Sequence, residues 1–260
     1  AGQAFQAEVS YFDAPGGNMD QIACSVGGAL RVDPNEKDGY IKLGNSSFDL
    51  VLGDSNAPKD TIGILSRCKF DRLDILVKNG GVWDEIDLQK LNKVDLHLVE
   101  GTIRNRDIER TASSKLLIEN QSVEELGALM SEHHSILRDV LKISTPKIEK
   151  MCDAAINAGA VGAKIFGSGG GGCMIAMVPK SNGKSDLSLL AQIKSSIERI
   201  DGSITYHVKS EPGVDWGLNT DVKNPVVILA AGASSRMKSV EGVSEDIAKE
   251  VTSRPKAMLR

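Results

Sequence analysis

Two short stretches of this 260-residue chain carry residue types that chemistry can use. The first is KIFGSGGGGCMIAM, residues 164–177, in which Gly167, Ser168, Gly169, Gly170, Gly171 and Gly172 separate two apolar runs. Glycine at this density lets the backbone approach a ligand closely, and successive N–H groups then form a concavity for an anion such as phosphate. Gly167, Gly169 and Gly172 also satisfy G-x-G-x-x-G. That fingerprint must open a helix, however, whereas CMIAMV reads as a strand. No Gly-Lys-Ser/Thr follows, so this is not a Walker A loop. The plain alternative is a hairpin tip, against which the entropic cost of four successive glycines counts. The second stretch is GGNMDQ, residues 16–21, which places Asp20 near the start of a short helix. A carboxylate there can simply complement the helix dipole. Beside an anion cradle it becomes the second part that phosphoryl transfer to a hydroxyl requires, a base for the proton.

A third pattern lies near the C-terminal end. VVILAAGASSRM, residues 226–237, runs an apolar strand into a loop of Gly232, Ala233, Ser234, Ser235 and Arg236. Lys256 follows a proline some twenty residues on. Loops after such strands are where α/β folds place phosphates, and Arg236 with Lys256 could neutralise a triphosphate and its leaving pyrophosphate. Other candidates carry less. His133 and His134 are adjacent on a helix and face different ways, so they read as packing histidines and not as a shared metal site. Asp54, Lys59 and Asp60 follow a strand and read as a solvated loop. Trp216 reads as a packing anchor.

The elements that must position these residues follow from periodicity and caps. A short helix covers the segment after Gly17, with a strand near residues 30–33 and another at 48–53. Residues 59–79 read as a helix through Ile62, Leu65, Leu73 and Leu76, with Phe70-Asp71 marking where it could break. Residues 85–141 hold two or three helices. One has its apolar stripe at Leu126, Leu129, Met130, His133, Leu137, Val140 and Leu141. The best-defined helix starts at Thr145 as N-cap, with Pro146 at the first helical position and Gly159 just past its end. Strands at 163–166 and 173–178 flank the glycine loop. A helix at 187–200 and a strand at 203–209 complete an antiparallel α+β sandwich. Residues 210–224 read as a linker, and the new apolar pattern beginning at Pro225 places a domain boundary near Asn224.

Composition bounds the rest. Hydrophobic residues at 41% and charged residues at 25% are those of an ordinary folded chain and exclude global disorder. A formal net charge of -4 lacks the basic footprint of a general nucleic-acid binder. No stretch approaches the ~20 apolar residues of a membrane helix. The four cysteines, without CxxC spacing, and the lack of a secretory signal read as reduced thiols in a cytoplasmic protein.

Together the two stretches resemble the GHMP small-molecule kinases, the family of galactokinase and mevalonate kinase. Residues 16–33 are similar to the segment bearing the catalytic aspartate, and the Met-Asp-Gln triplet is nearest to sugar kinases. Residues 163–178, with the preceding segment from residue 143, are similar to the family's third motif. The resemblance spans roughly residues 1–222. It implies Asp20 as the base that takes the proton from a sugar hydroxyl, giving a sugar 1-phosphate, with Met19 and Gln21 as substrate contacts. It implies Gly167 to Gly172 at the nucleotide phosphates, ATP and Mg2+ as cofactors, and a ferredoxin-like C-terminal half within about 85–210. The family's Pro-x-x-x-Gly-Leu-Ser-Ser-Ser loop is absent, so the kinase is expected to be truncated ahead of Ala1, with the magnesium ligands outside this chain. Residues 225–260 are similar to the start of the sugar-nucleotidyltransferases. There Arg236 and Lys256 would be catalytic, Gly232 to Ser235 would hold phosphate, and the segment would be the first strand and loop of a truncated Rossmann-like domain. The expected partners are a small sugar and a nucleotide, with neither nucleic acid nor membrane. An isoprenoid-pathway kinase of mevalonate kinase type and a non-catalytic sugar sensor are the competing readings.

Overall fold

Four β-strands that come from distant parts of the chain make one antiparallel sheet. The computed structural model describes residues 1–11, 17–43, 48–58, 61–117, 122–210 and 213. Its main strands are β3 (Phe48–Asp54), β4 (Gly162–Ile165), β5 (Cys173–Pro179) and β6 (Ile204–Val208), in the spatial order β4-β5-β3-β6. Counted along the chain, that order is second, third, first, fourth, the βαββαβ arrangement of ferredoxin-like folds. A smaller hairpin, β1 (Leu30–Val32) with β2 (Tyr40–Lys42), stands apart from this sheet. The central strand β3 lies ahead of the 85–210 span, so the sheet draws on more of the chain than that span contains.

Register fixes which side chains face the core. Ile165, Met174, Gly53 and Thr205 lie on one rung of the ladder, and Ala163, Ala176, Val51 and His207 on the next. This face is covered by α6 (Pro146–Asn157) and α7 (Leu187–Glu198). Ile148, Met151, Ile165, Met174, Ile193, Ile197, Val51 and Val178 are fully buried there, each worth about 1.5–3 kcal/mol of transfer free energy. A Cβ on Gly53 would come within 3.0 Å of Met151 and Met174, so the missing side chain is what lets α6 close on the sheet.

The helices begin where local chemistry dictates. In α6 the Thr145 hydroxyl accepts from the Ile148 N–H at 3.3 Å, Pro146 occupies the first turn, and Gly159 takes φ +103° beyond the end. In α7 the Asp186 carboxylate accepts from the Leu189 N–H. The other helices are α1 (Gly2–Phe5), which runs into a π-turn, α2 (Met19–Val26), α3 (Thr61–Lys78), α4 (Lys93–Leu116) and α5 (Val123–Asp139). The sequence expectation of a break at Phe70-Asp71 fails: α3 runs unbroken through them. Its Leu73 is 44% exposed, and among the described side chains those that reach the cores are Ile64, Cys68, Ile75 and the expected Leu76. Apolar spacing along α3 is too irregular to tell the two faces apart.

Helix α5 lies along the free edge of β4. The Ala163 N–H donates to the Ser131 hydroxyl at 3.4 Å and the Ile165 N–H to His134 Nδ1 at 3.2 Å, so helix side chains supply acceptors that a further strand would otherwise provide. The backbones touch where they cross. A Cβ on Gly127 would sit 2.2 Å from the Val161 carbonyl oxygen, and one on Gly162 would sit 2.3 Å from that of Gly127. No helix among the described residues is long and apolar enough to cross a membrane.

Candidate active site

The glycine loop joins β4 to β5, as the sequence suggested, and no helix follows Gly172. The Phe166 N–H donates to the Cys173 carbonyl and closes its base. All five glycines take left-handed φ: +75° at Gly167, +82° at Gly169, +75° at Gly170, +121° at Gly171 and +69° at Gly172. No other residue type adopts that series without strain. The loop is also packed. The Gly170 N–H donates to the Ile143 carbonyl at 2.6 Å, and the Gly172 carbonyl accepts from the Ser55 N–H at 2.9 Å. A Cβ on Gly169 would come within 2.6 Å of the Ile143 oxygen, and one on Gly170 within 2.0 Å of the Ile64 methyl.

The N–H groups of Gly167, Ser168, Gly169, Gly171 and Gly172 find no acceptor among the described residues, and the buried Ser168 hydroxyl has no partner there. Backbone donors held in left-handed geometry without acceptors form an anion-binding concavity. Such donors suit an anion such as phosphate. Asp54 ends β3 opposite Cys173, at the same end of the sheet as the loop, and its carboxylate accepts from the Asn56 N–H. Its position beside the loop was not evident from sequence, because the β3–β5 pairing spans more than a hundred residues.

Asp20 stands exposed in the first turn of α2, with Asn18 at the N-cap and no hydrogen bond or ion pair among the described residues. Met19 beside it is 59% exposed. Gln21 is turned inward, buried, with its amide donating to Glu8 at 2.9 Å. No hydrogen bond or ion pair among the described residues joins Asp20 to the loop. Gly213, just past β6, passes the end of α2, where a Cβ would lie 2.3 Å from the Ser25 carbonyl oxygen. Gly16, Lys59, Asp60, Trp216, the boundary near Asn224 and the whole segment of Gly232 to Arg236 and Lys256 lie outside the described residues.

Electrostatics behind the loop are set by burial. His133, on α5, has its imidazole pulled down to about 4 by burial, with the Lys164 ammonium and His134 beside it adding to the effect. Burial likewise lowers Lys164 and His134, and pushes the Cys152 thiol up to about 12. The adjacent histidines are packing residues, as their spacing suggested: His134 is buried and holds the β4 edge. Among the described residues no three His, Cys, Asp or Glu side chains gather as metal ligands. Two clefts, of about 330 Å³ and about 390 Å³, lie away from the loop. The first is lined by Phe48, Lys180, Lys184 and Lys209 at the opposite end of the sheet. The unspent backbone donors mark the loop as the candidate site in preference to either cleft.

Residues 114–195 match the family model described as GHMP kinases C terminal. Over this segment the chain is similar to the C-terminal domain of the GHMP kinases. The segment takes in α5, α6, the glycine loop and most of α7. The chain is 47% identical over 169 residues to a mevalonate kinase of Thermococcus gammatolerans, covering 62% of this chain and 42% of that protein. It is 29% identical over 199 residues to a galactokinase of Clostridium tetani, covering 68% of this chain and 49% of that protein. The chain thus spans less than half the length of either curated relative. In fold it is similar to the Lactococcus lactis galactokinase solved with galactose, with a TM-score of 0.63, 18% identity, and coverage of 80% of this chain and 58% of that one.

Proposed function

We propose that these residues serve an ATP-dependent kinase that phosphorylates a small-molecule alcohol, with a sugar hydroxyl as acceptor. The supporting observation is the glycine loop, whose left-handed glycines and acceptor-free N–H groups suit a nucleotide's phosphates. In this reading Gly167 to Gly172 hold the phosphates through backbone N–H groups, with the Ser168 hydroxyl as a further donor. Asp20 accepts the proton of the acceptor hydroxyl as its oxygen attacks the γ-phosphorus. The phosphorus–oxygen bond to the leaving ADP breaks, and the sugar phosphate keeps the new bond. Mg2+ would offset charge on the phosphates; no described residue is assigned to it. Met19, exposed next to Asp20, is the neighbour placed to touch substrate, and Gln21 supports the helix from within.

A second reading, mevalonate as the acceptor, is favoured by the 47% identity to a mevalonate kinase. The Met-Asp-Gln triplet supports the sugar. ADP release by the protein as its source cell makes it, tested on galactose, other free sugars and mevalonate, separates the two. Sugar binding without ADP release on any acceptor of either class would instead mark a sensor. We further read residues 225–260 as the start of a nucleotidyltransferase domain, with Gly232 to Ser235 at phosphate and Arg236 and Lys256 as catalytic cations. This rests on the LAAGASSRM pattern and the later Pro-Lys. Arg236→Ala should abolish pyrophosphate release from a nucleoside triphosphate and sugar 1-phosphate and leave sugar phosphorylation intact. Loss of the kinase reaction alone would assign the segment to the kinase.

A further inference from the structure

One carboxylate outside the loop touches two of the segments that support the loop. Glu149, in the first turn of α6, accepts from the Ser144 hydroxyl in a short hydrogen bond. The same oxygen lies 3.1 Å from His134 Nε2, off the line of a well-formed bond, and the other oxygen is 3.3 Å from the Arg138 guanidinium. His134 Nδ1 accepts from the Ile165 N–H, so its ring proton sits on Nε2, toward Glu149. Ile165 is the last residue of β4, directly before the loop begins. Ser144 follows Ile143, whose carbonyl receives the Gly170 N–H and whose atoms close on Gly169. Arg67 donates to the neighbouring Leu141 carbonyl at 3.1 Å and fixes the same segment from α3.

We propose that Glu149 is a positioning residue that holds the glycine loop in its ligand-ready conformation by tying His134, and through it the end of β4, to Ser144 and the Ile143 carbonyl. Its consequence for nucleotide binding rests on the phosphate reading of the loop given above; its consequence for the loop itself does not. Removing the carboxylate frees both supports, and local opening of the loop then becomes easier without unfolding the sheet.

Hydrogen exchange on the full chain tests this directly. Glu149→Ala should speed exchange at the hydrogen-bonded amides of Ile165, Phe166 and Gly170 about ten-fold or more, while β3 and α7 amides keep their rates. Glu149→Gln retains an acceptor oxygen for His134 and Ser144 and should recover most of the protection. Ser144→Ala cuts one support only and should give a smaller increase confined to Gly170. His134→Asn keeps an acceptor near the Ile165 N–H and should be milder than His134→Ala. Unchanged loop exchange in both Glu149→Ala and Ser144→Ala overturns the proposal. If Glu149→Ala raises exchange everywhere, Ser144→Ala decides, and a uniform or null effect there also overturns it. ADP binding to the same variants separates the two claims. Faster loop exchange with unaltered ADP affinity leaves Glu149's role standing and removes the phosphate reading of the loop.

Discussion

Between Gly167 and Gly172 the backbone is held from three sides: by Ile143 at Gly170, by Ser55 at Gly172, and by the β4–β5 ladder at its base. Around Asp20 the restraint comes from one side, through the buried Gln21 and Ile22, and the carboxylate itself stands free of partners among the described residues. A phosphate cradle must be rigid, because its donors act only if they already converge. A base must reach its proton and needs little more than position and charge. The difference between the regions suggests opposite outcomes for substitution: in the loop, stability and function fall together, whereas at Asp20 function falls alone.

The largest effect should come from Asp20→Asn. The amide keeps the shape but cannot take a proton, and general base catalysis is typically worth ~10²–10⁴-fold in kcat. Steady-state kinetics on the acceptor that proves active should show that loss, with ADP affinity and melting temperature unchanged. Wild-type turnover would reduce Asp20 to a helix-start residue and dissolve the contrast.

Acid should act next, through the imidazoles buried on α5. His133 titrates near 4 in the folded chain against an ordinary 6.5, with Lys164 and His134 facing it. Between those values the unfolded chain binds the extra proton and the folded chain does not. The stability is fully present above about pH 6.5 and falls as pH drops toward 4, by on the order of 3 kcal/mol. Melting temperature followed from about pH 7 to pH 4 should decline over that window, and His133→Asn should make the decline shallower, with the buried His134 imidazole supplying what remains. A flat wild-type curve would show that the His133 imidazole is solvated.

Gly169→Ala should cost about 2 kcal/mol, from left-handed strain of ~1–2 kcal/mol plus displacement of the Ile143 carbonyl that a Cβ would meet at 2.6 Å. Gly17→Ala is the matched control beside Asp20, where a Cβ meets nothing within 4 Å. Its melting temperature should stay that of the parent. Equal stability losses at the two glycines would erase the distinction between the regions.

What could be read from sequence was what short stretches determine. Thr145, Pro146 and Gly159 define α6 within fifteen residues, and each plays the expected part. The β4–β5 hairpin was legible because its two apolar runs flank one unmistakable loop. The central strand β3 was visible as a strand, but its partners β5 and β6 lie more than a hundred residues away, so Asp54 and Ser55 could not be placed beside the glycines. The roles of Ser131, His134 and Glu149 depend on where α5 crosses β4, which rests on backbone contact between Gly127 and Gly162. A glycine in a helix carries no sequence signal that distinguishes such a crossing from an ordinary weak position.

The smallest effect should separate the loop's shape from the strain of its support. Lys142 takes φ +52° just past the end of α5, and the Ile143 N–H then returns to the Leu137 carbonyl at 3.0 Å. Its side chain is exposed, so what the position requires is backbone conformation. Left-handed geometry costs a non-glycine residue about 1–2 kcal/mol, while glycine gives back about 0.5–1 kcal/mol through the entropy of the unfolded chain. Lys142→Gly should therefore stabilise the fold by about 0.5 kcal/mol, raising the melting temperature by about 1–2 °C. Exchange at Gly170 should not change, because the Ile143 carbonyl is held from Ser144 and Arg67 as before. A fall in melting temperature would mean that the Lys142 charge near Asp139 outweighs the strain. Faster exchange at Gly170 would mean that residue 142, and not Glu149, governs the loop, and the rigidity of that region would have to be ascribed to the helix end alone.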